Sequence, residues 1–189
     1  MKLYNHIDTN QLKEKFSLNK TYPAQYEKAI LIALSRYPEL TRTKINFQIK
    51  KTLGHFLLTE TALWNIFRRK EQRTFNISIQ EDVSSRFTLK ELSYEAQIGA
   101  ISRELSLISL FCGSNYEIIA NLFTILHTKR NKSLEVKIDR SVIEHGLATQ
   151  LFEYAKQTKQ LCKKGSTILH VPHLEPDKIV SLQNQQLGL

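Results

Sequence analysis

The stretch YEAQIGAISRELSLISLFC, Tyr94–Cys112, carries apolar residues at helical spacing on two sides. Tyr94, Ile98, Ile101, Leu105 and Ile108 make one stripe, and Ala100, Leu107, Leu110 and Phe111 make another. A helix apolar on two sides is buried. Yet Arg103 and Glu104, the only charged residues between Glu95 and Glu117, stand next to each other at its middle. Neighbours on a helix point about 100° apart, so each charge needs its own partner. Deleting the partner of a buried charge costs roughly 3–5 kcal/mol. The alternative is a helix less buried than its stripes suggest, with both charges reaching water.

Outward from this helix, the upstream chain alternates. Ile45, Phe47 and Ile49 are interleaved with Lys44, Asn46, Gln48 and Lys50, the period-two mark of a strand with one wet face, and Phe75, Ile77 and Ile79 repeat it. Between them, His55 to Arg69 reads as a short strand or an irregular connection. Before them, Tyr26, Ala29, Ile30, Ala33 and Leu34 predict a helix from Tyr22 to about Arg36, with Thr21 as N-cap and Pro23 in its first turn, ending near Pro38. Downstream, helices are predicted from about Asn115 to Thr128, from about Ser133 to Leu161, and over Glu175–Leu182, where Pro176 suits a first turn. Strands followed by helices make an α+β fold. The 189 residues suit one domain, and no repeat or linker divides them.

The six glycines are scattered too widely for a phosphate-binding loop. The N-terminus has no apolar core of a signal peptide and no stretch reads as a membrane span. Cys112 and Cys162 form no CxxC motif and read as two reduced, small hydrophobic residues. A cytoplasmic protein without a membrane partner is expected. The 27 Lys+Arg against 18 Asp+Glu leave a formal charge of +9. That surplus makes an acidic partner conceivable.

On the long helix, Glu135 and Asp139 stand four apart and share a face, where two like charges call for a cation unless water serves them. QIGAISRELSLI, Gln97–Ile108, resembles the active-site helix of gluzincin-type zinc metallopeptidases, in which HExxH lies in a frame such as Q-I-G-x-x-G-H-E-L-x-H-I. Glu135-Val-Lys-Ile-Asp139 resembles that group's ExxxD on the next long helix, and IEHGLATQL, Ile143–Leu151, resembles the same helix in small bacterial members. The order of strands, HExxH helix and glutamate helix also fits, over roughly Arg42 to Leu182. The resemblance implies a single zincin-like domain over 1–189, with a core of about 42–182, a small N-terminal sheet, a helical half, and the helix of about 22–36 packed on it.

The resemblance also implies site roles, and two of them fail. Glu104 matches the general base, Glu135 the third zinc ligand, and Asp139 the acidic residue that orients a ligand. The two zinc-binding histidines are replaced by Arg103 and Leu107. Arginine has no lone pair to offer and leucine has no donor atom. Without zinc, the pKa of water stays near ~15.7 instead of falling to about 7, so Glu104 has nothing to activate. The expectation is a non-catalytic metallopeptidase-like protein with no zinc or other cofactor. The Arg103 guanidinium, with five donors, is expected to replace the metal as cation and to pair with Glu135 or Asp139. The use implied for the fold is to hold an extended peptide or protein partner beside an exposed strand.

Two other readings compete. Basic clusters at Arg42/Lys44/Lys50/Lys51, Arg68/Arg69/Lys70/Arg73, Lys129/Arg130/Lys132/Lys137 and Lys156/Lys159/Lys163/Lys164 allow a binding module for nucleic acid or an acidic protein, though no nucleic-acid motif accompanies them. His145 and the His170-Val-Pro-His173 pair, with Glu104 or Glu135, allow a peptidase with relocated metal ligands.

Overall fold

The computed structural model describes residues 9–52, 55–61, 68–69, 72–81, 87–113, 132–163 and 171–188. Within them the chain is α+β, a small four-stranded sheet with a helical half. Its helices are α1 (Thr9–Phe16), α2 (Glu27–Ser35), α3 (Tyr94–Gly113), α4 (Lys132–Glu144), α5 (Ala148–Lys163) and α6 (Pro176–Leu187). Its strands are β1 (Lys20–Thr21), β2 (Lys44–Ile49), β3 (Leu57–Glu60) and β4 (Thr74–Ile79). No helix among the described residues is long and apolar enough to cross a membrane. The helix predicted over about 115–128 lies outside the described residues.

The alternating segments form the centre of the sheet. β2 and β4 run parallel, with Ile45 beside Phe75 and Phe47 beside Ile77, and these four side chains are buried in one core with α2 and α3. On the opposite face Asn46 Nδ2 donates to Asn76 Oδ1 at 3.0 Å, so polar residues there satisfy one another across the strands. The strand order is β1-β2-β4-β3. The segment read as a short strand or an irregular connection thus supplies a strand at one edge, lying antiparallel to β4 with Thr59 beside Ile77.

Three predicted helices differ in extent. The first begins at Glu27 rather than Tyr22, because Lys20 and Thr21 pair with β2 and the backbone stays extended through Pro23 before a 3₁₀ turn at Ala24–Tyr26. Thr21 is thus a strand residue and not an N-cap. Once begun, α2 is buried on every side from Ala29 to Leu34. The single helix predicted over about 133–161 is two, α4 and α5. Gly146 takes φ +75°, its N–H donates to Ile143 O and that of Leu147 to Val142 O. These paired bonds close a helix end in the Schellman manner, with Leu147 tucked back as a buried apolar residue. The last helix runs past Leu182 to Leu187, where Gly188 at φ +72° ends it.

α3 passes through the middle of the helical half, packed against α2, α4 and α5. Its crossing with α5 depends on Gly99, where an added Cβ would lie 2.2 Å from the carbonyl oxygen of Gln150. The backbones touch there because glycine lacks that atom. At the other end of α3, Arg73 Nη1 donates to Phe111 O at 2.9 Å, placing a cation on the carbonyl end of the helix. Gly99→Ala is expected to destabilise the fold by roughly 1–3 kcal/mol, the usual cost of forcing extra volume into a packed contact. The urea midpoint measures this, and an unchanged midpoint would mean that the two backbones are not in contact.

Candidate functional site

Arg103 and Glu104 lie on the same turn of α3 but face different elements. Both are buried, at 2% and 3% exposure, so the reading in which they reach water is excluded. Arg103 turns toward α4, where Glu135 and Asp139 project from successive turns. Its Nε donates to Asp139 Oδ1 at 2.7 Å, and one terminal amine, Nη2, donates to Glu135 Oε2. The predicted pairing is present with both carboxylates rather than one. A guanidinium can do this because its donors are spread along a rigid plane, whereas a lysine ammonium would reach from a single point. Burial opposes the charge on Arg103, but Asp139 and Glu135 outweigh burial and hold its pKa above the ordinary arginine range.

Asp139 serves a third element as well. Its Oδ2 accepts the backbone N–H of His173 at 2.7 Å and of Leu174 at 2.9 Å. Two carboxylates facing one cation leave negative charge over, and these two backbone donors meet it. Helices α3 and α4 and the loop leading into α6 are thereby joined through one carboxylate. Leu107, one turn beyond Arg103, is fully buried and gives the cluster apolar volume where the resembled family carries a second nitrogen ligand.

Glu104 turns toward the sheet. Its Oε2 accepts the backbone N–H of Thr59 at 3.1 Å and the Thr59 hydroxyl at 2.6 Å. The carboxylate that matches a catalytic base is thus held by two donors from the edge strand β3. Leu107 and Asp139 are fully buried, and Arg103, Glu104 and Glu135 are each exposed by 4% or less.

The other predicted ligands lie elsewhere or outside the described residues. His145 stacks on Tyr37 with ring centroids 4.1 Å apart, and its ring nitrogens face Ser141 O and Glu39 Oε1. The same Glu39 oxygen accepts from Ser109 at 2.6 Å. His173 meets the cluster through its backbone, with its side chain exposed, and His170 lies outside the described residues. Among the described residues no three of His, Cys, Asp and Glu gather as a metal-binding group. A hollow of about 480 Å³ at the C-terminal end of α3 is lined by Glu39, Arg42, Ser109 and Cys112 among others, none of them from the cluster.

Several basic residues of the surplus are engaged in the fold. Arg73 is buried against backbone carbonyls. Lys20 is buried with its ammonium on the carbonyls of Leu40, Thr41 and Thr43. Lys50 and Lys159 pair with Glu60 and Glu175.

Against protein-family models, curated proteins and solved structures, the chain has no match. The site therefore speaks through its own geometry. Thr59, His173 and Leu174 are the members that the sequence reading missed. For Thr59 the sequence showed only that Glu104, about 100° around the helix from Arg103, had to meet a different element, and not which residue it met. The two backbone donors carry no side-chain signature.

Arg103→Ala is expected to cost roughly 3–5 kcal/mol of stability, because it leaves two carboxylates buried without their cation. Arg103→Lys should recover only part of this, since one ammonium cannot span both acceptors. Chemical unfolding of the three proteins decides the matter, and native-like stability in either variant would show that the bidentate pairing carries no energy.

Proposed function

We propose that the chain is a zincin-like, non-catalytic relative of gluzincin-type metallopeptidases. In this reading the Arg103 guanidinium stands where the family holds zinc, Leu107 fills the second histidine position, and Glu104 is a general base without a task. The observation that carries the reading is the buried bridge from Arg103 to Glu135 and Asp139. It joins the three positions that the family pattern assigns to a zinc ligand, a second ligand and the residue orienting one, and joins them through a permanent organic cation. The compartment proposed is the cytoplasm, with Cys112 and Cys162 as free thiols.

The activity proposed for such a fold is binding rather than cleavage. An edge strand is the feature that binds an extended polypeptide without catalysis, through main-chain hydrogen bonds along its outer side. β3 occupies that place in the sheet, directly above Glu104. The engaged state of Arg73, Lys20, Lys50 and Lys159 weakens the case for a nucleic-acid module.

Restoring the two missing ligands tests the parentage. The double variant Arg103→His with Leu107→His is expected to take up about one equivalent of zinc in the tetrahedral manner of such sites, with Glu135 as the third protein ligand. Metal analysis after dialysis and cobalt substitution spectra provide the readouts. A folded double variant that retains no metal would remove the metallopeptidase reading.

A further inference from the structure

The edge strand offered for binding is already engaged at one position by the residue beneath it. Gln80 N donates to Phe56 O at 2.9 Å, and the register places Leu57 beside Ile79, Leu58 beside Ser78 and Thr59 beside Ile77. In an antiparallel ladder the residues that bond to the neighbour alternate with those that do not. Phe56, Leu58 and Glu60 therefore direct their backbone groups toward β4, while Leu57 and Thr59 direct theirs away from the sheet. The outward N–H of Thr59 is the one that Glu104 accepts.

We propose that the Glu104–Thr59 contact is an autoinhibitory latch on the outer edge of β3, released by an extended polypeptide that adds to the sheet there. This rests on the strand-addition reading given above. An incoming strand would place a backbone carbonyl on the Thr59 N–H. That carbonyl and the Glu104 carboxylate are both acceptors, so they compete for one donor and repel each other in the same space. The latch is strong for a single side chain. Its acceptor is a buried carboxylate, and it takes a hydroxyl and an amide from one half-buried residue, with hydrogen bonds to charged groups ranking among the strongest a protein makes. Arg103 next to it anchors this turn of α3 to α4, so release comes by rotation of the Glu104 side chain rather than by movement of the helix.

The experiment measures binding of a neutral, end-capped, fluorophore-labelled peptide of alternating Thr and Val to the full chain and its variants, at a salt concentration that screens the basic surface. Glu104→Ala is expected to bind at least roughly tenfold more tightly than the native chain, the equivalent of about 1.4 kcal/mol. Glu104→Gln, whose amide oxygen can still accept from Thr59, should stay close to native. Equal affinities for native and Glu104→Ala would overturn the latch. If Thr59→Pro then abolishes that shared binding, strand addition itself stands. Absence of binding by both proteins at millimolar peptide would overturn latch and strand addition together. Should Glu104→Ala fail to fold, Thr59→Val, which removes only the hydroxyl donor, takes its place, with tighter binding expected and unchanged binding overturning the latch.

Discussion

A guanidinium without water around it must be met by acceptors, and much of the helical half is arranged to meet this one. Arg103 sits at the middle of a helix that is buried almost throughout, so its charge has no route to solvent. α4 supplies two carboxylates one helical turn apart, and their side chains converge on neighbouring donors of the same guanidinium, Nε and Nη2. Asp139 then passes the constraint on, because its second oxygen needs donors too and finds them in the backbone of His173 and Leu174. Relative to an apolar core, a buried cluster of this kind adds little net stability. Its effect is on uniqueness, since Arg103 and both oxygens of Asp139 find these partners only when α3, α4 and the loop before α6 come together.

The adjacency of Arg103 and Glu104 turns α3 into a junction. Residues one apart on a helix point about 100° apart, and these two meet different elements, α4 on one hand and β3 on the other. Gly99 allows the third contact, the close crossing with α5. The sheet and the helical half are therefore coupled through polar contacts at the centre as well as through apolar packing. Displacing the edge strand disturbs Glu104 directly, but reaches Arg103 only through the shared turn.

The parts of this arrangement differ in how openly the residues announce them. Arg103 with Glu135 and Asp139 was legible, because a lone cation in an apolar helix and two carboxylates at i and i+4 are each incomplete and complete one another. The central strands were legible for a similar reason, the alternation of Ile45, Phe47, Phe75 and Ile77 having only one face to bury. The contact of Glu104 with Thr59 was not, for it joins residues 45 apart in sequence and one end of it lies in a strand too short to show a period. The break at Gly146 was hidden by continuity, since the apolar pattern of α4 resumes in α5 and a glycine alone is compatible with either a helix interior or its end. Thr21 misled for a simpler reason. Threonine before proline suits an N-cap and an edge strand alike, and pairing with β2 decided between them.

In the proposed reading an arginine stands where the resembled peptidases hold a metal, and that difference changes what a site can do as well as what it holds. A catalytic zinc keeps one coordination position open to water or substrate, and that vacancy is the source of its chemistry. A guanidinium has no vacancy: each donor is satisfied or it is a cost, so the surrounding groups close upon it until water is excluded. Leucine at position 107 contributes to that closure, because an imidazole there without metal would be a buried polar group in search of a partner. Within that closed surrounding the Glu104 carboxylate takes the amide and hydroxyl of Thr59 as donors. In the proposed reading, the contact at the strand edge follows from an arginine at the helix centre, and a site without hydrolysis and a controlled edge are two results of one charge carrier.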